Sequence, residues 1–275
     1  MRIDSHQHFW KYHPVKNSWI DGSMSKIRRD FGPEDLLPEL DHAQIDACIA
    51  VQADESSEET RFLLEMANQN PWITKVVGWV DLCAADIEQQ LEKYSQEPRL
   101  AGFRRVLQSL PPEAMEEKSF LSGVSHLEKF GFTYDILIFP KHLKKAYQFA
   151  KKFPNQTFVV DHIAKPDIRN SGFGFWSKGI ENLAELPNVS CKVSGMVTEA
   201  DWGKWDFGDF VPYLDFVTEK FGVDRLLYGS DWPVCLLAGS YQQVHQLASA
   251  YFQHFSESEK RAIFGENAAG IYHIV

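Results

Sequence analysis

Short apolar, β-branched segments alternate along the chain with longer stretches of helical period. The short segments fall at 2–6, 47–53, 75–80, 101–106, 133–138, 157–161, 189–193 and 225–228, and their length and composition predict eight strands. Between them, Leu143, Ala146, Tyr147 and Ala150 follow the i, i+3, i+4, i+7 rule, as do Phe207, Phe210, Val211 and Leu214, and again Val244, Leu247, Ala248 and Tyr251. These runs predict helices with one face on a core. Pro140 suits the first turn of the helix at 143–150 and Pro154 its end, while Ser256 with Glu259 reads as a capping box for a last helix ahead of Gly265.

A strand followed by a helix, repeated, is the pattern of a parallel sheet, because every parallel crossover needs a covering element. Eight such units in about 250 residues match a (β/α)8 barrel. An open, doubly wound sheet is the rival, but it calls for a glycine-rich turn after the first strand. Here that turn reads His6-Gln7-His8-Phe9-Trp10, without glycine. No linker, low-complexity stretch or repeat longer than the βα unit interrupts the pattern, so one domain over residues 1–275 is expected. The segment 10–38 is longer than an ordinary βα connection and rich in aromatic residues, which predicts a loop lying over the barrel mouth.

Composition narrows the function classes. A formal charge of −10 over 275 residues argues against a nucleic-acid or anionic-membrane surface, and 44% hydrophobic content is enough for a sizeable core. No stretch of 18 apolar residues and no basic-then-apolar leader is seen, which makes the cytoplasm the default expectation. Cys48, Cys83, Cys191 and Cys235 form no CxxC unit and sit mostly in apolar runs, as buried reduced thiols do. Nothing in the composition speaks against association into a homo-oligomer.

Candidate chemistry begins with His6 and His8. Two residues apart on a strand, they leave it on the same face, together with Asp4, so that two imidazoles converge on one volume. Such a pair can hold a metal or polarise a substrate; two unrelated histidines near a frayed terminus are the plainer alternative. In a (β/α)8 barrel, catalytic groups sit where strands run out into the βα loops. His6 and His8 end the first strand, Arg104 and Arg105 the fourth, Asp161 and His162 the sixth, Lys192 and Ser194 the seventh, and Asp231 the eighth, with Tyr134 and Asp135 in the fifth. Charged residues at the ends of apolar strands are costly if buried and unpaired, so these belong either at the solvent lip or in a site.

Five motifs, in order, carry a resemblance to a known family: His6-Gln7-His8, Val160-Asp161-His162, Lys192-Val193-Ser194-Gly195, Gly229-Ser230-Asp231-Trp232-Pro233 and Gly265-Glu266-Asn267-Ala268-Ala269. Together they resemble the amidohydrolase superfamily, and within it the amidohydrolase 2 branch, which includes sugar lactonases and the lactonase acting on 2-pyrone-4,6-dicarboxylate. The likeness spans essentially the whole chain. It implies a hydrolase of carbohydrate metabolism on a distorted (β/α)8 TIM barrel, with His6, His8, His162 and Asp231 in the active site.

A binuclear site of that superfamily needs a bridging carboxylated lysine or glutamate, and Arg104 and Tyr134 stand where it would be. One divalent ion, Zn²⁺ or Mn²⁺, held by His6, His8 and Asp231 with a position open for water, is therefore the expectation, alongside a metal-independent alternative. On either route Asp231 serves as general base; its other reading is a cap for the helix after strand eight. Arg104 is the candidate for holding the lactone carbonyl or a hydroxyl, or else makes an ion pair; of Arg104 and Arg105 only one can face the mouth. Tyr134 offers a hydroxyl to substrate or packs in the core, and Lys192 touches substrate or pairs with Asp161. Trp19, Trp232 and Trp10 would stack on the C–H faces of a sugar, or pack the loop onto the barrel. The expected reaction is the opening of an aldonolactone such as L-fuconolactone or L-rhamnonolactone. Hydrolysis of a dicarboxylate lactone, a metal-dependent decarboxylation and a non-catalytic binding barrel are the alternatives. A dicarboxylate needs several inward cations, and the strand ends offer few.

Overall fold

The computed structural model describes residues 1–274. Eight strands, β1 (Ile3–Gln7), β2 (Ala47–Val51), β3 (Ile73–Gly78), β4 (Leu100–Arg105), β5 (Thr133–Ile136), β6 (Phe158–Val160), β7 (Val189–Val193) and β8 (Leu226–Tyr228), pair in parallel and in sequence order. Each is followed by a helix: α1 (Pro33–Ala43), α2 (Ser57–Gln69), α3 (Ile87–Tyr94), α4 (Lys118–Val124), α5 (Leu143–Ala150), α6 (Phe173–Ala184), α7 (Phe207–Phe221) and α8 (Tyr241–Tyr251). The result is a distorted (β/α)8 barrel. Its closing seam carries no regular ladder between β1 and β8; it is made by Asp231 N–H donating to the His6 carbonyl (2.8 Å) and His8 N–H to the Trp232 carbonyl (2.7 Å).

Alternation along the strands produces two cores. Outward residues such as Cys48, Val76, Phe103, Tyr134 and Cys191 pack under the helices. Inward residues Ile3, Ile49, Val51, Val77, Ala101, Val159 and Leu227 fill the ring from below, where Ala268 and Tyr272 of the C-terminal segment close it. Above that apolar plug the inward positions turn polar: Arg104, Asp135, Asp161 and Lys192 are all buried. The site rests on that layer.

Three expectations need correction. A bulge in β1 between Asp4 and Gln7 breaks the period-two alternation. Asp4 therefore does not face the same way as His6 and His8; it sits in the outer layer, accepting from Tyr241 of α8 (3.1 Å) and from the backbone of Ser230 (2.9 Å). The segment over the mouth ends at Gly32 rather than at residue 38, because Pro33 opens α1 at a position needing no N–H and the Asp35 carboxylate accepts from Gly32 N–H (3.0 Å). Finally, the capping box of Ser256 and Glu259 starts a helix, α9 (Glu257–Arg261), as expected, but Gly265 does not end it. The chain widens into a π turn through Ala262–Glu266 and continues as α10 (Asn267–Ile271). Gly265 is required for another reason: a Cβ there would lie 2.1 Å from the Met1 carbonyl.

Glu59 of α2 illustrates how the fold responds to pH. Its carboxyl accepts from Ala53 N–H (3.0 Å), yet burial pushes its pKa up to about 7. An acid raised in the folded state holds a proton that the unfolded chain has already released between about pH 4.5 and 7, so stability falls as pH rises through that window. Glu59→Gln keeps the acceptor and removes the charge. Denaturant midpoints for this variant are expected to rise at pH 8, by about 1–3 kcal/mol in unfolding free energy, and to match the parent at pH 4.5. An equal change at both pH values would contradict the assignment.

Candidate active site

At the C-terminal rim the seam brings together residues more than two hundred positions apart. Asp231 Oδ1 lies 3.4 Å from His8 Nε2, 3.7 Å from His162 Nε2 and 4.0 Å from His6 Nε2. All four side chains are buried, and His8, His162 and Asp231 line the floor of a cleft of about 390 Å³. The seam hydrogen bond from Asp231 N–H to the His6 carbonyl fixes this approach, and Asp231 itself adopts φ +57°, a conformation that non-glycine residues take up rarely outside functional sites.

Each imidazole is oriented from behind. His8 Nδ1 donates to the Val51 carbonyl (2.7 Å), which leaves the lone pair on Nε2 facing the cleft. His6 Nδ1 meets the Asp161 carboxylate at 3.2 Å, and Arg104 Nη1 approaches His6 Nε2 at 3.3 Å. His162 Nδ1 is 2.9 Å from the Ser194 hydroxyl. Burial holds His6 and His162 well below the usual histidine range, so both are neutral near pH 7. For Asp231 burial acts upward, but the neighbouring His162 and His8 outweigh it and the carboxyl lies below its ordinary range.

Whether these residues fit a metal ion can be tested on their geometry. His6 Nε2 and His8 Nε2 are 3.2 Å apart, and with His8 donating through Nδ1 its inward nitrogen is an acceptor. A carboxylate behind one histidine and a backbone carbonyl behind the other is the support that metal-binding imidazoles require. His6, His8 and Asp231 each present one ligand atom within 4.8 Å of the others. Two nitrogens and an oxygen, with the cleft on the open side, suit one divalent ion such as Zn²⁺.

Below the histidines lies a fully buried charge network. Lys192 Nζ bridges Asp135 (2.5 Å) and Asp161 (3.1 Å), Arg104 Nη1 pairs with Asp161 (3.0 Å), Arg104 Nη2 donates to the Gln52 carbonyl, and Tyr272 OH donates to Asp135 (2.9 Å). Lys192 thus supports the floor and does not line the cleft. Arg104 does line it, while Arg105 points away, over Phe120 and towards Glu117. Tyr134 is turned outward among Phe120, Phe149 and Phe158, so the expected hydroxyl contact to substrate is not made by this residue; alternation gives the inward place to Asp135. Trp232 likewise packs between Phe9 and Phe31, and Trp10 against Phe31, tying the long loop to the barrel. Of the three tryptophans considered for stacking, Trp19 alone reaches the cleft.

The loop contributes Trp19 and Met24 to one wall, and Trp202, Lys165 and Glu199, which the strand pattern did not single out, form another. Lys165 enters through an unusual turn. His162, Ile163, Ala164 and Lys165 all have φ between +46° and +58°, a left-handed turn of non-glycine residues that allows His162 to face inward directly after inward-facing Asp161. Gly195 permits this turn: with φ +61°, a Cβ there would stand 2.5 Å from His162 Nδ1. Gly195→Ala is expected to displace that imidazole, lowering kcat/KM about ten- to a hundredfold and unfolding free energy by about 1–3 kcal/mol. Steady-state kinetics with a denaturation curve would show it, and an unaffected kcat/KM would remove His162 from the site.

Comparison with known proteins agrees with this geometry. The sequence pattern of the amidohydrolase family matches residues 3–274. An L-fucono-1,5-lactonase from Burkholderia multivorans is 38% identical, over 99% of this chain and 96% of its own length, and another from Burkholderia ambifaria is 35% identical over the same shares. A crystal structure of an amidohydrolase from Burkholderia multivorans with bound zinc superimposes with a TM-score of 0.96 at 37% identity, covering all of both chains. No helix among the described residues is long and apolar enough to cross a membrane.

Proposed function

Since the chain belongs to the amidohydrolase family, with full-length relatives that are L-fucono-1,5-lactonases, we propose that it opens a sugar lactone such as L-fuconolactone or L-rhamnonolactone to the aldonic acid. The observation that carries this reading is the convergence of Asp231 with three imidazole nitrogens on the floor of a tryptophan-walled cleft. Asp231, ionised and aimed into the cleft, takes a proton from water as the water oxygen attacks the lactone carbonyl. Arg104 and neutral His162 face the oxygen on which negative charge develops. When the ring C–O bond breaks, the proton held by Asp231 passes to the departing ring oxygen, which becomes the hydroxyl of the product acid. A divalent ion held by His6, His8 and Asp231 would supply a Lewis acid and lower the pKa of a water beside it.

The charges in the cleft support a neutral substrate over a dicarboxylate. Its cationic lining residues apart from histidine are Arg104 and Lys165, and each is already paired, Arg104 with Asp161 and Lys165 with Glu199 at 3.4 Å. Two carboxylates entering here would meet Asp231 and Glu199, while among the described residues each of these lining cations already has a carboxylate beside it.

A pH-indicator assay over a lactone panel tests the reading. Acid release is expected from sugar lactones and not from a dicarboxylate lactone. Treatment with chelator should abolish it, and Zn²⁺ or Mn²⁺ should restore it. Ligand-induced melting shifts without turnover on any lactone would instead mark a binding protein.

A further inference from the structure

Taking the sugar-lactone reading as its basis, we propose that Lys165 and Glu199 form the specificity-determining subsite of the cleft, a charged pair that grips adjacent hydroxyls of the lactone ring and sets the ring's orientation over Asp231. Three independent features of the structure lead there.

The first is the pair's incomplete satisfaction. Lys165 Nζ and Glu199 Oε1 stand 3.4 Å apart, both largely shielded from solvent, a loose contact beside the 2.5 and 3.1 Å bridges that Lys192 makes beneath the site. An ammonium has three donors and a carboxylate about four acceptor positions, so a single long contact between two residues that line the cleft leaves most of them for a ligand. The ammonium also lies over the face of Phe139, 5.5 Å away, and among the described residues it forms no second ion pair. A diol is the chemical complement of such a pair: one hydroxyl accepts from the ammonium while it and its neighbour donate to the carboxylate, as charge-assisted hydrogen bonds.

Backbone conformation is the second feature. Left-handed geometry at four successive side-chain-bearing residues, a β-branched isoleucine among them, is a costly arrangement that the fold would not need merely to end a strand. In a turn of this kind residues three apart lie on the same side. His162 and Lys165 are such a pair, and both line the cleft. Trp176 fastens the middle of the turn by donating to the Ile163 carbonyl at 2.6 Å, and Lys165 N–H closes it onto the His162 carbonyl at 2.8 Å. One rigid element thus presents both a residue of the reacting centre and a recognition charge.

Placement is the third. Glu199 ends a short helical turn, Val197–Glu199, and its backbone carbonyl accepts from Arg169 N–H (3.0 Å), which fixes the main chain that carries the carboxylate. Trp202 follows three residues later and lines the same wall, supplying an apolar surface for the ring's C–H face beside groups that read its hydroxyls. Arg104 and the Asp231 cluster address the carbonyl, leaving the rest of the ring to Lys165, Glu199 and Trp202.

The test compares a hydroxylated and a bare ring. Glu199→Gln and Lys165→Met are assayed on L-fucono-1,5-lactone and on δ-valerolactone, which has no hydroxyl groups; melting temperatures report folding. Expected is a KM raised about ten- to a hundredfold on the sugar lactone with kcat changed less than about threefold, and a much smaller rise in KM on δ-valerolactone. The double variant should lose little beyond either single one, because each removes the same pair. Equal losses on both lactones, or an unchanged KM on the sugar lactone, would overturn the proposal. Calorimetric binding of a hydroxylated six-membered lactam, compared with 2-piperidone, separates this proposal from the catalytic reading on which it rests. Lactam affinity that depends on both residues, in a protein that hydrolyses no lactone, would sustain the subsite while sinking the lactonase. Lactam affinity indifferent to both residues would refute the subsite whatever the enzyme hydrolyses.

Discussion

Asp231→Asn is expected to lower kcat by about three orders of magnitude or more while leaving the melting temperature within a few degrees of the parent. Asparagine keeps the volume of the side chain and the backbone seam bond to His6, so the geometry at φ +57° is retained, asparagine being one of the residues that tolerates it best. What disappears is the carboxylate that stands within 4.0 Å of all three imidazole Nε2 atoms and lines the cleft. A helix cap would behave differently: asparagine caps as well as aspartate, and catalysis would survive. Rates within tenfold of the parent, measured on the sugar lactone that the unsubstituted protein turns over best, would eliminate Asp231 as the base.

The largest expected loss of stability comes from Lys192→Met. Removing the ammonium strands Asp135 and Asp161 in the interior, and breaking a buried pair in this way costs about 3–5 kcal/mol. Arg104 remains beside Asp161, but Asp135 keeps only the Tyr272 hydroxyl. Burial already lifts the Asp135 pKa to about 6 despite the lysine, and without it the carboxyl must rise further. For an acid raised in the folded state the penalty is largest above the folded pKa and shrinks as pH falls towards the unfolded value. Denaturant titrations should therefore show the deficit at pH 8 and a much smaller one at pH 5. Adding Asp135→Asn to the variant should recover part of the loss at pH 8. A deficit independent of pH would mean that packing, and not charge, is what Lys192 contributes.

Much of this architecture was legible in the chain because two strong signals agreed. The eight apolar segments predict strands whose observed bounds lie within about three residues, since a parallel strand is covered on both faces and reads as an uninterrupted apolar run. The pairing of His6, His8 and Asp231 could be anticipated from barrel topology and family resemblance, although no spacing reveals it. Other features were hidden because they depend on departures from regular geometry. Alternation puts Asp4 with His6, and only the bulge separates them. Alternation also allows just one of Asp161 and His162 to face inward, and a left-handed turn of residues with no glycine among them admits both. Trp232 offered a stacking face and Tyr134 a hydroxyl to a substrate on paper, but aromatic neighbours claim them, because the long loop and the helical layer each need large side chains to fill their contact with the barrel. Lys165, Glu199 and Trp202 lie on loops, where neither period constrains direction.

The seam has a consequence for how the molecule comes to be active. Since the seam bonds of Asp231 to His6 and of His8 to Trp232, with those of Ser5 to Tyr228 and of Ser230 to Asp4, all link β8 and the residues after it to β1, β8 must dock on β1 before the proposed centre is assembled. Partially folded chains in which β8 and β1 are apart are then expected to be inactive, however much sheet they contain, and the return of turnover during refolding to follow the docking of β8 on β1. By the same logic, a chain severed within the solvent-exposed stretch near Gly203 should regain activity when its two pieces are mixed, whereas neither piece alone can show any.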